Sequence, residues 1–83
     1  MVKVAVIDGI KIYLYNDEHP PPHFHAVYAE HEAMIDIETL EITRGYLPAA
    51  HYRKVRRWAE TRRADIMRVW THCRIGVTSG KIT

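Results

Sequence analysis

Two β-rich runs open the chain, residues 2–7 and 10–15, separated by Asp8-Gly9. An Asp-Gly pair between such runs predicts a hairpin, because a type I′ turn needs positive φ at both central residues. In the second run Ile10, Ile12 and Leu14 alternate with Lys11, Tyr13 and Tyr15. The aliphatic set is expected to face the core and the other three to face away. Residues 23–28 and 33–38 read as a second hairpin around Ala29-Glu30-His31-Glu32. With Tyr28 opposite Ala33, Phe24 faces Ile37 and Ala26 faces Ile35 on the apolar side. The polar side then pairs His25 with Asp36 and His23 with Glu38. Residues 40–43 add a fifth short strand, with Leu40 and Ile42 inward, and Arg44-Gly45 ends it.

From Pro48 the period changes. Proline is well placed at the first turn of a helix. Tyr52, Val55, Trp58, Ala59, Ile66, Val69, Trp70 and Cys73 then fall on one stripe at 100° per residue. Arg53, Lys54, Arg57, Glu60, Ala64, Arg68 and Thr71 fall opposite, and Gly76 is the expected stop. Unbroken, this helix would run roughly 40 Å at 1.5 Å per residue, about twice the length of the strands. Arg62 lies in the middle of its apolar stripe, either snorkelling or paired with a second subunit. Two outcomes follow: a break near residues 61–63, or a second half that overhangs the sheet and needs a partner for Ile66, Val69 and Trp70. The expectation is one α+β domain over residues 1–76, with residues 77–83 a loose tail. Its antiparallel sheet has four to five strands in two hairpins, covered on one face by a long or broken C-terminal helix.

Composition narrows the class. With 83 residues, 47% hydrophobic and 27% charged, the chain suits one small globular core. Cys73 is the one cysteine. No disulfide framework or cysteine-rich zinc module can form, and the centre of the stripe makes Cys73 a small buried hydrophobe. No apolar run reaches the length of a membrane span or a signal-peptide core, so a cytoplasmic protein without a membrane partner is expected. Net charge is +2, but residues 1–45 hold three basic and eight acidic side chains, against nine and two in residues 46–83. That split fits self-association, a small protein partner, or nucleic acid bound by the basic helix. Arg53, Arg56, Arg57, Arg63 and Arg68 are the candidate anion contacts.

The densest chemistry is the segment 17–25, Asp-Glu-His-Pro-Pro-Pro-His-Phe-His. Three prolines fix φ and supply no N–H, so the segment is a stiff connector. His23 and His25 share one face of a strand, and His19 can close on them with Asp36, a donor set that suits zinc or another divalent metal. Without a cofactor, His23, His25 and Glu38 can do acid–base work on RNA, on a face that also carries Lys11, Tyr13 and Tyr15. The plain structural alternative is a set of cross-strand polar pairs on that face.

Several blocks together are similar to one family. These are Ile12-Tyr13-Leu14-Tyr15, His19, Pro21-Pro22-His23-Phe24-His25, Ile35-Asp36-Ile37-Glu38-Thr39-Leu40-Glu41, Gly45, Leu47-Pro48, Trp58-Ala59-Glu60 and Trp70. The chain resembles the small bacterial proteins grouped as domain of unknown function DUF4160. Its departures are Tyr52, Arg53 and Arg56, where the family usually has leucines, and Thr61-Arg62-Arg63, where a histidine is common. The resemblance implies a bacterial source, a strand-rich fold with helices and, from gene neighbourhood, a partner of toxin–antitoxin type. The leading expectation is a partner-binding module of that type. The alternative is a metal-dependent or acid–base hydrolase or ribonuclease centred on His19, His23 and His25.

Overall fold

The Asp-Gly pair sets the first hairpin. In the computed structural model, which describes residues 2–15 and 19–74, Asp8 and Gly9 have φ of 47° and 82°. They join β1 (Val2–Ile7) to β2 (Ile10–Leu14), as a type I′ turn requires. Ile10, Ile12 and Leu14 are fully buried, as their alternation predicts. A bulge between Lys3 and Ala5 inserts Val4 into β1, and Val4 joins the core.

The second hairpin, β3 (His23–Tyr28) and β4 (His31–Asp36), differs from expectation by a slip of two residues. Phe24 pairs with Ile35, Ala26 with Ala33 and Tyr28 with His31. The connection is the two-residue turn Ala29-Glu30, with Ala29 at φ 53°. A slip of two keeps every side chain on its face, so the apolar side is as expected while the polar partners change. His23 lies opposite Asp36 and His25 opposite Met34. The expected pairs His25–Asp36 and His23–Glu38 do not form, because Glu38 sits exposed in the turn beyond β4.

The last strand, β5 (Ile42–Gly45), starts two residues later than expected and continues through Arg44 and Gly45. Leu40 instead sits in the preceding turn at φ 61°, its side chain fully buried. Met34 pairs with Arg44 and Ile35 with Ile42, so Thr43 is an extra residue. This bulge turns Arg44 onto the face opposite Ile42. Gly45 has φ 84°, and a Cβ there would lie 2.1 Å from the Glu32 carbonyl oxygen. The sheet is antiparallel in the order β1-β2-β3-β4-β5.

Two helices cover the Phe24 face. Pro48 precedes α1 (Ala49–Glu60), and its carbonyl accepts the Tyr52 N–H at 2.9 Å. The stripe breaks before α2 (Arg63–Arg74), one of the two outcomes Arg62 allowed. The Arg62 N–H bonds to the Ala59 carbonyl and its own carbonyl accepts the Ile66 N–H, both at 2.9 Å. Its guanidinium donates to the Trp58 carbonyl at 2.9 Å and lies 5.5 Å from the Trp58 ring centroid. Arg62 thus occupies an elbow between helices, where a cation can snorkel over an indole. The break folds α2 back, and Ile66, Val69, Trp70 and Cys73 enter the core. The overhang that would have needed a partner does not exist. Among the described residues no helix is long and apolar enough to cross a membrane. The expected stop at Gly76 and the tail 77–83 lie outside the described residues.

Candidate functional site

Alternation along β3 aims His23 and His25 away from Phe24, onto the sheet's other face. The register adds Tyr13 from β2 beside His25, then Met34 and Asp36 from β4 and Arg44 from β5. Such a face would ordinarily be wet, yet His23 and His25 are only 6% and 7% exposed. Aromatic rings enclose them. The Tyr15 ring meets His25 edge-on at 4.4 Å between centroids, Trp70 of α2 lies 5.0 Å from His23, and the two imidazoles are 5.2 Å apart.

Each ring is held through Nδ1. His23 Nδ1 lies 2.8 Å from the Pro21 carbonyl oxygen, which can only accept, so the proton is on Nδ1. His25 Nδ1 lies 3.2 Å from Glu32 Oε2, and an ionised carboxylate likewise only accepts. In both neutral rings Nε2 is then the basic nitrogen. Pro22, next in the connector, uses its carbonyl to take the Ile37 N–H at 3.0 Å. This contact ties the connector to the end of β4 and fixes where His23 enters the sheet.

Two hollows cut this face. One, of about 470 Å³, is lined by His19, Pro21, His23, Met34, Asp36 and Arg44. The other, of about 280 Å³, is lined by His25, Glu32, Met34, Arg44 and Gly45. They share Met34 and Arg44 and so make one trough. Asp36 is pinned at its edge: Oδ1 accepts the N–H of Glu38 at 2.7 Å and of Thr39 at 3.0 Å. The turn that follows is clamped from α1, because the Leu40 carbonyl accepts the Tyr52 hydroxyl and, at 3.2 Å, Arg56 Nη1.

Of the residues singled out for chemistry, the fold gathers His19, His23 and Asp36 around the larger hollow, with His25 next door. Among the described residues no group of three or more His, Cys, Asp or Glu side chains is arranged to hold a metal ion. Glu38 is away from both imidazoles. The five arginines divide. Arg53, Arg57 and Arg63 are exposed and make no ion pair among the described residues. Arg68 is near Asp65 at 3.9 Å, and Arg56 is committed to the Leu40 turn. Glu32, Met34 and Arg44 line the trough and were not singled out by the sequence. Strict alternation from Ile42 would send Arg44 inward; only the unpredicted bulge at Thr43 brings it here. Arg44 is exposed and makes no ion pair among the described residues. Cys73 is buried, and burial pushes its thiol above the usual range. It takes no part in the trough.

No curated protein and no solved structure matches the chain. A family model does match residues 9–71, from the Gly9 turn through most of α2 and so over every trough residue, and the chain belongs to that family, the domain of unknown function DUF4160.

Proposed function

We propose that this domain is an acid–base hydrolase for a phosphodiester bound in the trough. The observation that carries the reading is the paired tautomer of His23 and His25. Both rings are held through Nδ1, His23 on the Pro21 carbonyl and His25 on the Glu32 carboxylate, and both residues line hollows that share Arg44. One imidazole can take a proton while the other gives one, and Arg44 neutralises charge on the phosphoryl oxygens. The test is hydrolysis of bis(p-nitrophenyl) phosphate by purified protein and by His23→Ala, His25→Ala and Arg44→Ala. Loss of an acid–base group lowers kcat/KM on the order of a hundredfold or more. Equal rates in wild type and both folded histidine variants would refute the proposal. The same Nδ1 bonding is how histidines that bind metal through Nε2 are oriented. Zinc and chelator arms therefore belong in the assay: activity lost to chelator and restored by zinc would make the site a metal-dependent one.

A second reading, a partner-binding module of toxin–antitoxin type, rests on Arg53, Arg57 and Arg63, which stay exposed without an ion pair among the described residues. An acidic protein or a nucleic acid fits that surface. Its affinity would fall steeply with salt and would weaken in the triple Arg→Ala variant. Salt-independent binding would remove this reading.

A further inference from the structure

We propose that the larger hollow of the trough binds a small zwitterion, its anionic group on Arg44 and its ammonium group on Asp36. The proposal goes beyond the hydrolase reading, because it rests on neither imidazole and needs no turnover. The hollow, at about 470 Å³, has the size of a small-molecule site. Arg44 and Asp36 both line it and carry opposite charge, yet neither makes an ion pair among the described residues, with the other or with a third group. They are close enough for one ligand to touch both. Met34 and Asp36 share a face of β4, and Arg44 lies opposite Met34, which makes it a diagonal neighbour of Asp36.

The turn after β4 holds Asp36 in place. Its Oδ1 accepts the N–H of Glu38 at 2.7 Å and of Thr39 at 3.0 Å. Its own N–H goes to the Glu41 carbonyl at 3.0 Å, and its carbonyl takes the Leu40 N–H at 2.8 Å. Capping that turn needs an oxygen, which asparagine would also supply, so the turn does not account for the negative charge. Nor does the fold use the exposed Arg44 guanidinium. A pair of opposite charges on one hollow favours a ligand that carries both. A lone anion on Arg44 meets the repulsion of Asp36, and a lone cation on Asp36 meets that of Arg44. A guanidinium takes a carboxylate or a phosphate through two parallel N–H bonds, and an ammonium donates to a carboxylate. Pro20, Pro21 and the half-buried Met34 give the chain between the two groups an apolar wall. Asp36 is already ordered, so binding needs little further ordering on its side. Amino acids and phosphate esters of amino alcohols share this chemistry.

The probes are L-alanine and O-phosphoethanolamine, each beside the same molecule without its amine, propionate and ethyl phosphate. Binding to the full chain is read by amide shifts in NMR titration. The expected result is that at least one zwitterion binds about tenfold or more tighter than its amine-free partner, the worth of one charge-assisted hydrogen bond. Which zwitterion does so identifies the source. Asp36→Asn keeps the oxygen that caps the turn, and it should bind zwitterion and amine-free partner alike. Arg44→Gln, at an exposed position, should bind neither. If wild type binds no zwitterion, or binds the amine-free partner as tightly, the proposal is overturned. Binding that both variants retain also overturns it, since the site then lies elsewhere. None of these outcomes involves hydrolysis, so the phosphodiester assay stands or falls separately.

Discussion

Replacing Gly45 by alanine tests whether the last strand holds the trough together. Gly45 has φ 84°, and a left-handed backbone costs a residue with a Cβ about 1–2 kcal/mol. The added methyl also has nowhere to go. It would lie 2.1 Å from the Glu32 carbonyl oxygen and 3.1 Å from Ala33 Cα. Both neighbours are backbone in a central strand, so no side chain can swing aside. That oxygen also accepts the Tyr46 N–H at 3.0 Å, and losing the bond adds about 1 kcal/mol. The total is about 2–4 kcal/mol, a large share of the stability of a small domain, and roughly 10–30 °C in Tm. Gly9 is the control. Its φ is 82°, but the nearest atom to a Cβ there is Tyr28 Cε1 at 3.8 Å, an ordinary contact. Gly9→Ala therefore carries only the backbone cost, about 1–2 kcal/mol. Urea unfolding of both variants gives, as their difference, the clash together with the lost Tyr46 bond. If Gly45→Ala costs no more than Gly9→Ala, the close approach of β5 to β4 is not as described.

Two further outcomes follow from the same geometry. Tyr52→Phe removes the hydroxyl that the Leu40 carbonyl accepts and should cost about 1 kcal/mol by thermal unfolding; a neutral result would mean Arg56 holds the turn alone. Cys73 should resist alkylation at neutral pH until urea unfolds the chain, since burial raises its pKa and disfavours the reactive thiolate. The sign for stability is the same. The folded state favours the protonated thiol, so this contribution is whole below the ordinary thiol range and is lost as pH climbs through the raised value. Fast labelling of folded protein would contradict the burial.

Punctuation in the sequence was only partly reliable: Arg44-Gly45, expected to end the last strand, lies within it. Asp8-Gly9 announces a turn that few other dipeptides could make, and Arg62 narrows the helix to a break or an overhang, because a cation is costly in the middle of a buried helical stripe. The second turn carried no such sign. Ala29 takes a positive φ without being glycine or asparagine, so the register of β3 against β4 had to be judged from apolar matching. Apolar matching cannot tell a pairing from one slipped by two, because both put Phe24, Ile35 and Ile37 on the same side. The candidate site was half legible for a related reason. Alternation put His23 and His25 on one face with Tyr13 and Asp36. Trp70 reaches His23 because α2 folds back, and Arg44 depends on a bulge. Both are tertiary events with no local signal.

The proline connector shows how backbone chemistry reaches the site. A proline gives up its N–H but keeps its carbonyl, and a fixed φ narrows where that carbonyl can point. Here the carbonyls of two successive prolines are put to different uses. That of Pro22 takes the Ile37 N–H and extends the β3–β4 ladder one step past His23; that of Pro21 takes His23 Nδ1. The first contact fixes where the strand starts and the second fixes which nitrogen of the ring is basic. His25 reaches the same tautomer by another means, a carboxylate on the neighbouring strand. Two independent devices thus give two neighbouring imidazoles the same protonation geometry. Both bonds also satisfy a buried N–H, which packing needs as much as chemistry does.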